Sequence, residues 1–207
     1  CEDCAAFTGR VSLAATIPTT KGDYLKFPLG NKVKVIKWMK RNRLKPVVDN
    51  KMVDNVPIAP FKIVRPLREY QKLAVADIIE KERGILVSPP RSGKTAMGMA
   101  VTHQLGQKTL ILAHQREWLD NFMITFVGSE KEPAFTDIDP ERVGFAKTLE
   151  DFKRLDVVFA TFQQFFRPKG QLLFKQISNL FPIVIVDECQ FAPATESAKL
   201  MAKVKAR

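Results

Sequence analysis

Apolar and polar positions along the 207-residue chain follow two textures, and the change between them falls near Pro66. Downstream, short apolar runs without alternation recur between longer segments of helical period. GILVS (84–88), KTLILAH (108–114), VGFA (143–146), DVVFAT (156–161) and PIVIVDE (182–188) read as strands. LREYQKLAVADIIEKER (67–83), KTAMGMAVTHQLG (94–106), REWLDNFMITFVG (116–128), TLEDFKR (148–154), GQLLFKQISNLF (170–181) and ESAKLMAKVKAR (196–207) read as helices. In the first of these, Leu67, Tyr70, Leu73, Ala74 and Ile78 form one apolar stripe, and Gly84 supplies a stop. Strands that are apolar at every position are covered on both faces. The alternating order therefore predicts an α/β fold, a parallel sheet with helices on both sides.

Upstream of Pro66, VSLAATI (11–17) and YLKF (24–27) read as short strands. After a turn at Gly30-Asn31, Lys32 and Lys34 alternate with Val33 and Val35. This period of two predicts a β-hairpin with lysines on one face and Trp38 packed beneath it. Four prolines between residues 45 and 66 suggest a linker or extended crossing. The organisation expected is a basic, β-rich N-terminal region with linker over 1–62 and an α/β domain over 63–207.

Charge sharpens that division. Residues 1–70 carry 14 Lys/Arg against 6 Asp/Glu, and residues 71–207 carry 19 against 16, within a net charge of +11. A basic front end suits a polyanion such as nucleic acid, with Lys32, Lys34 and Lys37 as candidate contacts; a solvated surface explains the same charge. No apolar run approaches the ~20 residues that span a bilayer, and no signal peptide is visible. With three cysteines, the expectation is an intracellular, cytoplasmic, bacterial or phage-like setting. Cys1 and Cys4 form C-x-x-C, half of a zinc site whose other ligands would lie outside this chain, or else two free thiols. The chain opens on Cys1 rather than Met, so a longer parent is expected.

The stretch SPPRSGKT (88–95) sits between an expected strand and an expected helix. That is the context of a phosphate-binding loop, although Ser88 stands where the pattern has its first glycine. Pro90, Arg91 and Ser92 lead into Gly93, which lets the backbone approach a phosphate. Lys94 supplies a cation to the phosphates, and Thr95 offers a hydroxyl to Mg²⁺. VIVDECQ (184–190) ends a second strand in two carboxylates. Asp187 there suits Mg²⁺, and Glu188 suits orienting and deprotonating a water. Lys94, Asp187 and Glu188 are the candidate catalytic residues.

The ordered set LREYQ, SPPRSGKT, TLILAHQREWLDNF, VVFATFQQF and VIVDECQ resembles the first motor domain of superfamily 2 helicases and translocases, nearest the UvsW-type DNA branch with DEAH- or DECH-like signatures. The resemblance covers about residues 65–207. It implies a RecA-like fold, ATP and Mg²⁺ as cofactors, and movement on nucleic acid, DNA rather than RNA. It also implies adenine recognition by Arg68 and Gln71. Contacts to the tracked strand would come from His114, Gln115, Arg116, Thr161 and Gln163, with Gln164 beside them. Gln190 stands where the family has His or Asp, a position that couples the two activities. Phe162, Phe165 and Phe166 are expected in the core. A second RecA-like domain, in the parent chain or a partner, would supply an arginine for hydrolysis. Without it the fragment is expected to bind ATP weakly and turn it over poorly. Two other readings remain open at this level: an ATPase of another phosphate-loop class, and a nucleic-acid-binding module with a vestigial nucleotide site.

Overall fold

A computed structural model of the chain describes residues 15–19, 22–26, 32–43, 53, 55–191, 195–201, 203–204 and 206. Its contacts group into two units, Cys1–Asn50 and Lys51–Arg207.

In the first unit, β1 (Ala15–Thr19) and β2 (Gly22–Lys26) form an antiparallel hairpin with Ala15 opposite Lys26. The segment expected to be a lysine-faced strand is instead a helix, α1 (Lys32–Arg41). Its ten residues hold no Gly or Pro, and lysine favours helix. The Lys/Val alternation spans only four residues, too few to impose a strand. A helix has no period of two, so the reason for grouping positions 32 and 34 on one face does not hold. Trp38 is 58% exposed rather than packed under a hairpin. The expected turn at Gly30-Asn31 lies outside the described residues.

The second unit holds a four-stranded parallel sheet, order β4-β5-β3-β6, from β3 (Thr109–Ala113), β4 (Val143–Phe145), β5 (Val157–Thr161) and β6 (Ile183–Val186). Alternate strand residues face opposite layers. Ile111 and Phe159 join Met99 of α3 (Lys94–Leu105) and Leu119 and Phe122 of α4 (Arg116–Val127). Leu110, Leu112 and Val158 join Phe152 of α5 (Leu149–Arg154) and Phe174 and Ile177 of α6 (Pro168–Ile177), with Leu200 of α7 (Thr195–Met201). The sheet is thus covered on both faces, as its unalternating strands require.

α2 (Glu69–Lys81) lies on α3, with Val75 buried against Met97, Ala100 and Val101. Its inner face is Gln71 and Val75, flanked by Ala74 and Ile78. Tyr70 and Leu73, expected on the apolar stripe, are 45% and 71% exposed. The helix stops at Glu82, whose φ of +59° is left-handed, before Gly84 is reached.

The expected strand GILVS does not pair with any described strand. Ile85 and Val87 are 75% and 90% exposed. An apolar run supplies the side chains of a buried strand, but the ladder needs a neighbour; β3 takes one edge of β6, and no described strand lies on the other. Upstream, residues 55–66 cross the unit in extended form. Pro57 bridges to Gln107 and Ile63 to Thr136, and Phe61 is buried in the core. No described helix is long and apolar enough to cross a membrane.

Gly170 sets the close approach of α6 to the 3-10 turn Phe162–Phe165: a Cβ there would lie 2.1 Å from the Gln164 carbonyl oxygen. Gly170→Ala is therefore expected to cost about 1–3 kcal/mol by overpacking, although alanine normally favours a helix. Thermal melts should show Tm lowered by roughly 4–10 °C; an unchanged or higher Tm would contradict the close approach.

Candidate functional site

The loop before α3 is shaped by two left-handed residues, Arg91 (φ +62°) and Gly93 (φ +81°). Gly93 is the N-cap of α3, and a side chain there would meet Gln71 Nε2 at 2.3 Å. Glycine is thus required both for conformation and for clearance. The Ser92 amide donates to the Pro89 carbonyl at 3.3 Å, and the Ser88 hydroxyl donates to Ser92 Oγ at 2.5 Å. Ser88, the departure from the glycine pattern, closes the loop through its side chain. Pro90 and Arg91 are exposed, while Ser92, Gly93, Lys94 and Thr95 are half-buried. No acidic residue occupies the first turn of α3, so the positive helix end is not neutralised from its own sequence.

Strand register sets the opposite wall. Leu112 pairs with Val186 and Ala113 with Thr161, and the Asp187 amide donates to the Leu112 carbonyl at 2.8 Å. The tips of β3, β5 and β6 therefore end at one level. Asp187 is half-buried, and burial raises its pKa above the usual carboxylate range. The Glu188 amide opposes this by donating to Asp187 Oδ1 at 3.1 Å, the Glu188 charge adds to the rise, and the nearby Lys94 ammonium favours the ionised form. Lys94 and Asp187 are thus within electrostatic reach of each other. Glu188 has a left-handed backbone (φ +50°), uncommon for a side-chain-bearing residue, and its carboxylate accepts from Gln190 Nε2.

Arg68 and Gln71 lie on the start of α2 beside the loop. Gln71 is 7% exposed; its Oε1 accepts from the Arg68 amide at 2.9 Å and its Nε2 donates to the Ser92 carbonyl at 2.9 Å. The Tyr70 hydroxyl donates to that same carbonyl at 2.8 Å. Sequence reasoning missed Tyr70 and the closing role of Ser88. Tyr70 had been assigned to a helix stripe for its ring, when its phenol was the informative end.

The candidate strand-contacting residues gather at the tips of β3 and β5. His114 stacks on Phe162 with centroids 4.9 Å apart, and its Nε2 is 3.4 Å from Ser197 Oγ of α7. Gln115 caps α4 and is exposed. The Arg116 guanidinium lies 3.5 Å over the Phe145 ring and pairs with Asp120. Thr161 ends β5, and Gln163 is exposed on the following turn. Gln164 instead donates to the Ala146 carbonyl at 2.8 Å, a structural bond. Phe162 and Phe165 are fully buried and Phe166 packs against them, as expected. Lys37 is exposed on α1. Cys1 and Cys4 lie outside the described residues; among those described, no three His, Cys, Asp or Glu side chains cluster as a metal site.

A raised pKa at Asp187 means that its ionised form costs native stability at neutral pH, a cost that disappears as pH falls below the unfolded value of about 3.9. Asp187→Asn, which keeps the acceptor for the Glu188 amide, should raise Tm at pH 7 and give no gain near pH 3. A lower Tm at pH 7 would refute that electrostatic account.

Comparison with known proteins places residues 65–206 on the family model described as "Type III restriction enzyme, res subunit". The chain is 26% identical over 157 residues to the DNA 3'-5' translocase XPB2 of Sulfurisphaera tokodaii, covering 76% of this chain and 32% of that protein. It is 27% identical over 154 residues to Rad25 of Haloarcula marismortui, whose name gives it a proposed DNA 3'-5' helicase activity, covering 72% of this chain and 22% of the relative. The chain thus spans a third or less of the length of these relatives. The family match takes in more than half of the chain, which therefore belongs to the Type III restriction enzyme res-subunit family, a first motor domain of the superfamily 2 kind that its ordered motifs resemble.

Proposed function

We propose that residues 63–207 bind Mg²⁺-ATP and form the first motor domain of an ATP-dependent DNA helicase or translocase. The observation that carries this reading is the loop before α3, left-handed at Arg91 and Gly93 and leading Lys94 and Thr95 into a helix start, together with the two carboxylates at the end of β6. The donor set fits the ligand: loop amides and a lysine for phosphate, a threonine hydroxyl and a carboxylate for a hard cation. ATP supplies the transferred phosphoryl group and Mg²⁺ offsets its charge.

Lys94 binds the phosphates, while the Thr95 hydroxyl and Asp187 carboxylate hold the metal side. Glu188, let go by Gln190, takes the proton of the attacking water. His114, Gln115, Arg116, Thr161 and Gln163 form a surface for the tracked strand. DNA as that strand is supported by the names of both relatives. Residues 1–62, with Lys32, Lys34 and Lys37, add sequence-independent attraction to phosphate. A second RecA-like domain, in the parent chain or a partner, contributes an arginine, and closure on ATP followed by reopening moves the strand. Such a protein works inside the cell. Ser88 favours a second reading, a nucleic-acid-binding module whose nucleotide site is vestigial.

ATPase measurements on the full-length parent separate these. DNA should stimulate hydrolysis, and Lys94→Ala should lower the rate by about 10²-fold or more. Lys94-dependent hydrolysis without DNA stimulation would remove the motor reading. Absence of Lys94-dependent hydrolysis would favour the vestigial site.

A further inference from the structure

Residues 24–48 hold eight Lys/Arg and no Asp/Glu, so the charge of this stretch has no local balance. α1 lies within it, and its end is closed by hydrogen bonds. The Asn42 amide donates to the Trp38 carbonyl at 3.1 Å, Asn42 Nδ2 donates to the same carbonyl at 2.9 Å, and the Arg43 amide donates to the Lys40 carbonyl at 3.1 Å. The last turn thus has its carbonyls satisfied and holds its side chains in place.

Two sides of that turn differ. Ile36 and Met39, three residues apart, are half-buried, whereas Lys37, Trp38 and Arg41 are exposed. Arg41 is the helical neighbour of Lys37, four residues back, and of Trp38, three residues back. The helix dipole accounts for Lys40 and Arg41 in the last turn. It does not account for an indole 58% in water beside them. A single exposed apolar side chain is ordinary. An exposed indole beside two cations, in a stretch without a carboxylate, has a specific complement: a polyanion that also offers flat rings. Cations meet its phosphates and the indole stacks on a base. In a duplex the base faces cover one another, so a single strand offers both contacts. An anionic membrane fits less well, because a helix lying in lipid needs its apolar side free, and Ile36 and Met39 are half-buried.

We propose that the last turns of α1 dock single-stranded nucleic acid, with Trp38 stacked on a base and Lys37 and Arg41 on flanking phosphates. This rests on the phosphate attraction assigned above to residues 1–62 and gives it a contact. It needs neither ATP nor the strand tips of the second unit.

Anisotropy of labelled oligo(dT), and of a labelled duplex of equal length, titrated without nucleotide with the 207-residue chain, tests the docking alongside thermal melts. Trp38→Leu should weaken oligo(dT) binding about tenfold, change duplex binding by less than about twofold, and leave Tm unchanged. Oligo(dT) should also quench tryptophan emission. Trp38→Phe, which keeps a ring, should hold its affinity within about threefold and lose most of that quenching. The double variant Lys37→Gln/Arg41→Gln should weaken both ligands and reduce the slope of log K against log salt by about 1.4 for oligo(dT). Should Trp38→Leu lower Tm, the quenching decides. Unchanged affinity in Trp38→Leu, equal losses on single strand and duplex, or quenching retained in Trp38→Phe would each overturn the stacking, while phosphate attraction, read from the double variant, still stood. No binding of either ligand, or no loss in the double variant, would overturn the attraction and the docking together. Phosphatidylserine vesicles bound through Trp38 in preference to oligo(dT) would overturn the docking in favour of a lipid surface.

Discussion

One ladder bond sets the level of the site: the Asp187 amide donating to the Leu112 carbonyl at 2.8 Å. It fixes where β6 stops relative to β3, and the β3–β5 register then fixes Thr161 beside Ala113. Because the strands are parallel, three chain segments far apart in sequence deliver their polar tips to the same edge. A slip of β6 by one residue would turn Asp187 towards the opposite layer and exchange Val184 with Ile185 across two distinct cores. The apolar side chains on both faces therefore hold the polar strand tips in register.

Left-handed backbone occurs beside the site as well as after α1 and α2, where Arg43 and Glu82 adopt it. Arg91, Gly93 and Glu188 are all left-handed, and each sits within the loop or the carboxylate pair. Costs of order 1–3 kcal/mol per strained side-chain-bearing residue survive only where the surroundings enforce them. Here a well-packed sheet below and α2 alongside provide the enforcement. Gln71 is the point where the two meet: it is buried like a core residue and hydrogen-bonded like a loop residue.

How much of this was legible in the sequence depended on what each signal measured. Strands β3, β4, β5 and β6 were read correctly because a run such as TLILA is apolar at every position, and double burial is the only common use for it. The loop before α3 and the two carboxylates after β6 lie where their order in the sequence puts them, one at a helix start and the other at a strand end. GILVS failed because apolarity reports a side chain's preference and says nothing about whether a neighbouring strand is there to pair. The α1 segment failed because two lysines and two valines satisfy either period over so short a span. Tyr70 and Ser88 escaped because their roles are hydrogen bonds to Ser92, three-dimensional relations that spacing does not encode.

The unpaired run from Ile85 to Val87 leads directly into the loop before α3, with two of its three side chains largely in water. Apolar and lacking a ladder partner among the described residues, it puts aliphatic surface in water, which lowers solubility. Colloidal behaviour is thus tied to residues that adjoin Ser88 and Pro89 in the chain.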